Sequence, residues 1–90
     1  MLEKDIERYL KKIVEMAGGE CFKFTSPGLT GVPDRLCILN GVTFFVELKK
    51  PGGRLSARQK VMHRRIERQG LTVYTIWSKA EVDRLVRSLI

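Results

Sequence analysis

Two carboxylates and an amine fall close together in this sequence: Asp34 in Gly31-Val32-Pro33-Asp34, and Glu47 with Lys49 in Phe45-Val46-Glu47-Leu48-Lys49-Lys50. Side chains alternate along a strand, so Glu47 and Lys49 project from the same face. Two carboxylates beside an amine can hold a hard divalent cation next to a group that handles a proton or steadies negative charge. In a chain of net charge +7, the matching substrate is a phosphodiester.

The turn between the two segments sets their geometry. Asn40-Gly41 separates the apolar runs Leu36 to Leu39 and Val42 to Leu48, and Asn-Gly is the strongest short signal for a two-residue type I′ hairpin. In that register Leu39 pairs with Val42 and Asp34 falls opposite Glu47, with Cβ atoms about 4.5–5.5 Å apart. Opposed like charges are unfavourable unless a cation sits between or near them. A bulge would shift the register by one. Solvated charges on a surface hairpin would give the same spacing, but Phe44, Phe45, Val46 and Leu48 read as a strand buried on both faces. Glu and Lys seldom enter such a strand unpaired.

The elements that must position these groups read as follows. Residues 2 to 17 predict an amphipathic helix with the stripe Leu2, Ile6, Leu10, Ile13 and Ala17, ended by Gly18-Gly19. Glu3 lies about 60° from the centre of that stripe and Glu7 about 100°. Glu20 to Thr25 predicts a short strand, and residues 26 to 33 a loop. After Pro51-Gly52-Gly53-Arg54, Ser56 opens a helix to about Gln69, with Ser56 and Gln59 as a capping box. Gln59 shares a face with His63 and Ile66 and could lean toward Glu47, though the cap competes for the same side chain. His63, the lone histidine, is assigned no role. Thr72 to Trp77 predicts a strand that returns parallel through a right-handed βαβ crossover. Ser78 with Glu81 opens a last helix over 79–89 striped by Val82, Leu85, Val86 and Leu89. The order α-β-β-β-α-β-α describes one α/β domain over 1–90, a small mixed sheet flanked by helices.

Seventeen Lys and Arg against ten Asp and Glu favour a polyanionic partner. Eight of the basic residues crowd into 49–68 against the single acid Glu67. Lys50, Arg54, Arg58, Lys60, Arg64 and Arg65 are therefore candidate phosphate contacts, with Ser26 and Arg35 beside the aspartate loop. Cys21 and Cys37 lack metal-ligand spacing and read as reduced core residues of a cytoplasmic protein. No apolar run long enough for a membrane span occurs.

The string Gly31-Val32-Pro33-Asp34-Arg35-Leu36, followed by Phe45-Val46-Glu47-Leu48-Lys49-Lys50-Pro51-Gly52-Gly53-Arg54-Leu55-Ser56 with Gln59, resembles the VRR-NUC domain, a branch of the PD-(D/E)XK nucleases. The resemblance implies a restriction-endonuclease-like core and a nuclease dependent on Mg²⁺ or Mn²⁺. It implies Asp34, Glu47 and the Leu48 backbone carbonyl as metal ligands, and Lys49 and Gln59 as further catalytic residues. It also implies a metal-associated glutamate on the first helix, for which Glu3 fits best and Glu7 is the fallback. Members consisting of this domain alone resemble homodimeric Holliday-junction resolvases, so branched DNA and a second copy of the chain are the expected partners. A flap or single-strand nuclease, or a non-catalytic nucleic-acid-binding module, is the alternative.

Overall fold

The computed structural model describes all ninety residues. Seven elements follow one another: α1 (Glu3–Met16), β1 (Glu20–Lys23), β2 (Arg35–Leu39), β3 (Val42–Leu48), α2 (Ala57–Glu67), β4 (Thr72–Ile76) and α3 (Lys79–Leu89). They match the expected order. The strands form one sheet in the order β1-β2-β3-β4. The first two pairings are antiparallel, and β3–β4 is parallel through α2.

The hairpin is built as its turn residues require. Asn40 and Gly41 both take positive φ, 52° and 79°, the requirement of a type I′ loop. Leu39 pairs with Val42 and Arg35 with Val46. No bulge intervenes, so the next positions in register are Asp34 and Glu47.

The alternation of β3 divides its side chains between two layers. Phe44, Val46 and Leu48 join a core with Ile6, Leu10 and Val14 of α1 and Val82, Leu85 and Val86 of α3. Phe45 and Glu47 face the other way, toward α2, which packs chiefly on β4. Three local expectations shift. In α1 the buried stripe is Ile6, Leu10 and Val14, with Ile13 and Ala17 only partly covered and Leu2 exposed as the N-cap. β1 and β4 stop at Lys23 and Ile76, short of Thr25 and Trp77. The Ser78 cap is one-sided: its hydroxyl accepts from Glu81 N at 3.2 Å and donates to Glu81 Oε1 at 3.1 Å. The backbone N–H of Ser78 is not bonded by that glutamate, as a reciprocal box would require. Cys21 and Cys37 are free, buried and directly opposed, with sulfurs 3.5 Å apart.

Candidate active site

Three segments meet at the C-terminal end of β3: the loop before β2, the end of β3 itself, and the first two turns of α2. Gly31 sets the first. Its φ is +87°, and a Cβ there would lie 2.9 Å from the Arg58 carbonyl oxygen. The loop therefore lies against the start of α2, and Arg58 Nε donates back to the Thr30 carbonyl at 3.3 Å. That packing delivers Asp34 to the sheet. Asp34 Oδ2 accepts from Leu48 N at 2.8 Å, so the side chain takes the place of a strand partner. Lys49 N donates to Ile76 O at 2.9 Å, so the backbone of Glu47 and Lys49 faces β4 and that of Leu48 faces β2. The residue in register opposite Leu48 is Pro33, which has no N–H to give. The Leu48 carbonyl thus lacks a ladder donor on that side.

Glu47 is only 2% exposed. Gln59 Nε2 donates to its Oε2 at 3.4 Å, and His63 Nε2 lies 3.2 Å from Oε1. Gln59 also serves the cap: its Oε1 accepts from Ser56 N at 2.9 Å, and its own N donates to Ser56 Oγ at 3.0 Å. The two roles expected to compete are filled together, because the carbonyl end of the amide caps and the amino end reaches the carboxyl. His63, given no role from sequence, sits one turn further along the same face, 6% exposed. Its i+4 spacing from Gln59 was the available signal.

Burial, then the hydrogen bond and charge of Asp34, push the Glu47 carboxyl up to about 8, against a smaller opposing pull from Lys49 and a further push from Glu3. Burial pushes the His63 imidazole down. Near neutral pH the Glu47–His63 contact is thus a hydrogen bond between uncharged groups, not an ion pair. The charge of Asp34 is thus one of the causes that keep a proton on the opposed Glu47. Lys49 is half-buried at the strand end and forms no ion pair.

The structure separates the two first-helix glutamates. Glu7 accepts from Arg35 Nε at 2.8 Å and Lys23 Nζ at 3.1 Å; burial pushes its carboxyl up, but these two cations outweigh it and hold it below the usual range. Glu7 is thereby committed elsewhere, while Glu3 is exposed, unpaired and near enough for its charge to reach Glu47. Arg35, expected beside the phosphate contacts, is turned inward: its side chain is 13% exposed, and it binds Glu7 and the Cys21 carbonyl. Ser26, half-buried, accepts through its backbone from Leu29 N in a turn of the loop. Lys50, Arg54, Arg58, Lys60, Arg64 and Arg65 are exposed, and none forms an ion pair.

The donors suit a hard divalent ion. No group of three His, Cys, Asp or Glu side chains is gathered tightly enough to cage a metal. Two carboxylates and a carbonyl without a ladder donor instead match an ion that keeps several waters, as Mg²⁺ does.

This arrangement has close parallels. A solved structure described as a VRR_NUC domain superposes with a TM-score of 0.88 at 32% identity, covering 98% of this chain and 97% of that one. No family model matches the sequence. The chain is also 42% identical over 78 residues to the protein named "Putative nuclease p44" from Acyrthosiphon pisum secondary endosymbiont phage 1, covering 86% of this chain and 84% of that protein. The chain belongs to the VRR-NUC family, and its sheet and helices are the restriction-endonuclease-like α/β core.

Proposed function

We propose that this protein is a metal-dependent DNA endonuclease, acting as a homodimeric resolvase of four-way junctions. The observation that carries the reading is the opposition of Asp34 and Glu47 across an unbulged hairpin, in a largely apolar sheet, with Lys49 on the same face as Glu47. A carboxyl as buried as Glu47, set against a second carboxylate, costs stability, and functional sites are where such costs concentrate.

Asp34, Glu47 and the Leu48 carbonyl would hold Mg²⁺ or Mn²⁺, with Glu3 at the rim of the site. When bound, the ion supplies polarisation of the scissile phosphate and acidifies a coordinated water. The protein does the rest. Gln59 and His63 fix the orientation of the Glu47 carboxyl. Lys49 Nζ aligns the attacking water and helps remove its proton. Lys50, Arg54, Lys60 and Arg64 hold flanking phosphates. In-line hydrolysis leaves a 5′-phosphate.

Two symmetric cuts need two sites, and each chain carries one. α2 covers the β4 side of its sheet face, which leaves Phe22 50% and Ile38 38% exposed on the β1–β2 side. That apolar area, at an edge strand, is where a second copy would join.

The test is product mapping on end-labelled four-way junction, flap and linear duplex, with Mg²⁺, Mn²⁺ or EDTA. Paired symmetric nicks confined to the junction support the resolvase. Cutting of flaps or single strands keeps the nuclease and rejects the resolvase. Binding without cutting in either metal rejects both.

A further inference from the structure

On the sheet face away from α2, α1 and the start of α3 leave an open groove of about 430 Å³, lined by Met1, Asp5, Arg8, Tyr9, Lys12 and Lys79. Two of its three cations stand one turn apart on one helix, and the third opens another. Arg8 and Lys12 are like charges at i,i+4 on one helix, an arrangement that is mildly destabilising. Lys79 is the first residue of α3, at the positive end of the helix dipole. None of the three forms an ion pair. Lys79 Nζ stands 5.3 Å over the Tyr9 ring, and the Tyr9 hydroxyl is anchored by donating to Asp83 Oδ1 at 2.7 Å. Asp5, the one carboxylate in the lining, accepts from Leu2 N at 3.3 Å. Three unneutralised cations thus converge on one concavity, on a surface fixed from below.

The position of the groove suggests its ligand. α3 begins shortly after β4 ends, and β4 runs parallel to β3. Lys79 therefore stands at the same end of the sheet as Glu47 and Lys49. Glu3 marks the site on α1, with Arg8 and Lys12 about 8 and 14 Å further along the helix. The cations around α2 approach the same end from the opposite face. The candidate active site is flanked by two basic surfaces, one in each layer. A straight duplex can follow one of them, whereas a DNA with two diverging arms can follow both. We propose that the groove of Arg8, Lys12 and Lys79 binds backbone phosphates of a second duplex arm, and so contributes preference for branched DNA. This rests on the nuclease reading above.

The experiment uses the full chain carrying Arg8→Ala, Lys12→Ala and Lys79→Ala. A control carries Lys11→Ala, Arg84→Ala and Arg87→Ala, which removes as many charges from the same two helices. Binding to a labelled four-way junction and to a linear duplex is followed by fluorescence anisotropy in EDTA across a salt series. Three lost phosphate contacts should lower the log–log salt slope for the junction by about 2.7. Over a fourfold rise in salt the unaltered protein would then lose roughly 40-fold more affinity than the variant. The linear duplex and the control should each change by less than about one slope unit. An unchanged junction slope, or equal losses on the linear duplex or in the control, would overturn the proposal. Failure of the unaltered protein to cut any DNA in Mg²⁺ or Mn²⁺ would instead count against the nuclease reading, independently of these slopes.

Discussion

Replacing Glu47 by Gln should make the metal-free protein more stable, and the gain should depend on pH. The ordinary carboxyl value of 4.5 rises to about 8 in the fold. Between those values the native protein retains a proton that the unfolded chain has released. Stability from this group is therefore complete below pH 4.5 and is lost as pH rises through 8. At 1.36 kcal/mol per pH unit, the span from 4.5 to 7 corresponds to about 3 kcal/mol. Gln keeps the shape and can still bond Gln59 and His63, but it does not titrate. In EDTA the variant should melt roughly 12–24 °C above the unaltered protein at pH 7, at about 4–8 °C per kcal/mol for a chain of this size. Near pH 4 the two should nearly coincide. Added Mg²⁺ should then raise the melting temperature of the unaltered protein and leave Glu47→Gln unmoved. Calorimetry or dye-based melting across pH reads all of this. A Glu47→Gln protein less stable than its parent at pH 7 without metal would refute the reasoning, as would an equal gain at pH 4 and pH 8.

Other perturbations probe the supports of the site. Asp34→Asn keeps an oxygen to accept from Leu48 N and removes the charge facing Glu47. It should abolish cleavage and raise the metal-free melting temperature; a lower one contradicts the repulsion. His63→Leu strands Glu47 Oε1 and should destabilise by about 1–3 kcal/mol, read by chemical denaturation; no change would mean that the contact carries nothing. Gly31→Ala meets both a left-handed φ and the Arg58 backbone. It should cost at least about 1–2 kcal/mol and depress cleavage through a displaced Asp34, which parallel melting and activity assays would show.

What the sequence disclosed follows the range of its signals. The hairpin register rests on two turn residues and an alternating pattern, both local, so Asp34 and Glu47 could be opposed from sequence. α3 was bounded well because an N-cap serine and a clean apolar stripe mark it. The partners of Glu7 could not be read, because Lys23 and Arg35 come to it from other elements through tertiary packing. That one contact engages Glu7 with two cations and turns Arg35 inward, away from the exposed basic residues. The dual use of Gln59 is a matter of which end of an amide faces which neighbour, beyond any spacing rule. The burial of His63 against Glu47 depends on how α2 sits on the sheet, and a lone histidine among cations gave no reason to favour it. The pairing of Cys21 with Cys37 likewise comes from the register of β1 on β2, which no turn sequence specifies.

The most direct test of the central claim is single-turnover cleavage of a labelled four-way junction by the unaltered protein and by Lys49→Ala, each in Mg²⁺ and in EDTA, with binding measured alongside. The site described here predicts cutting by the unaltered protein in Mg²⁺ alone, and a Lys49→Ala protein that binds the junction as tightly, melts at the same temperature and does not cut. Cutting that survives EDTA, or cutting undiminished in Lys49→Ala, would contradict it.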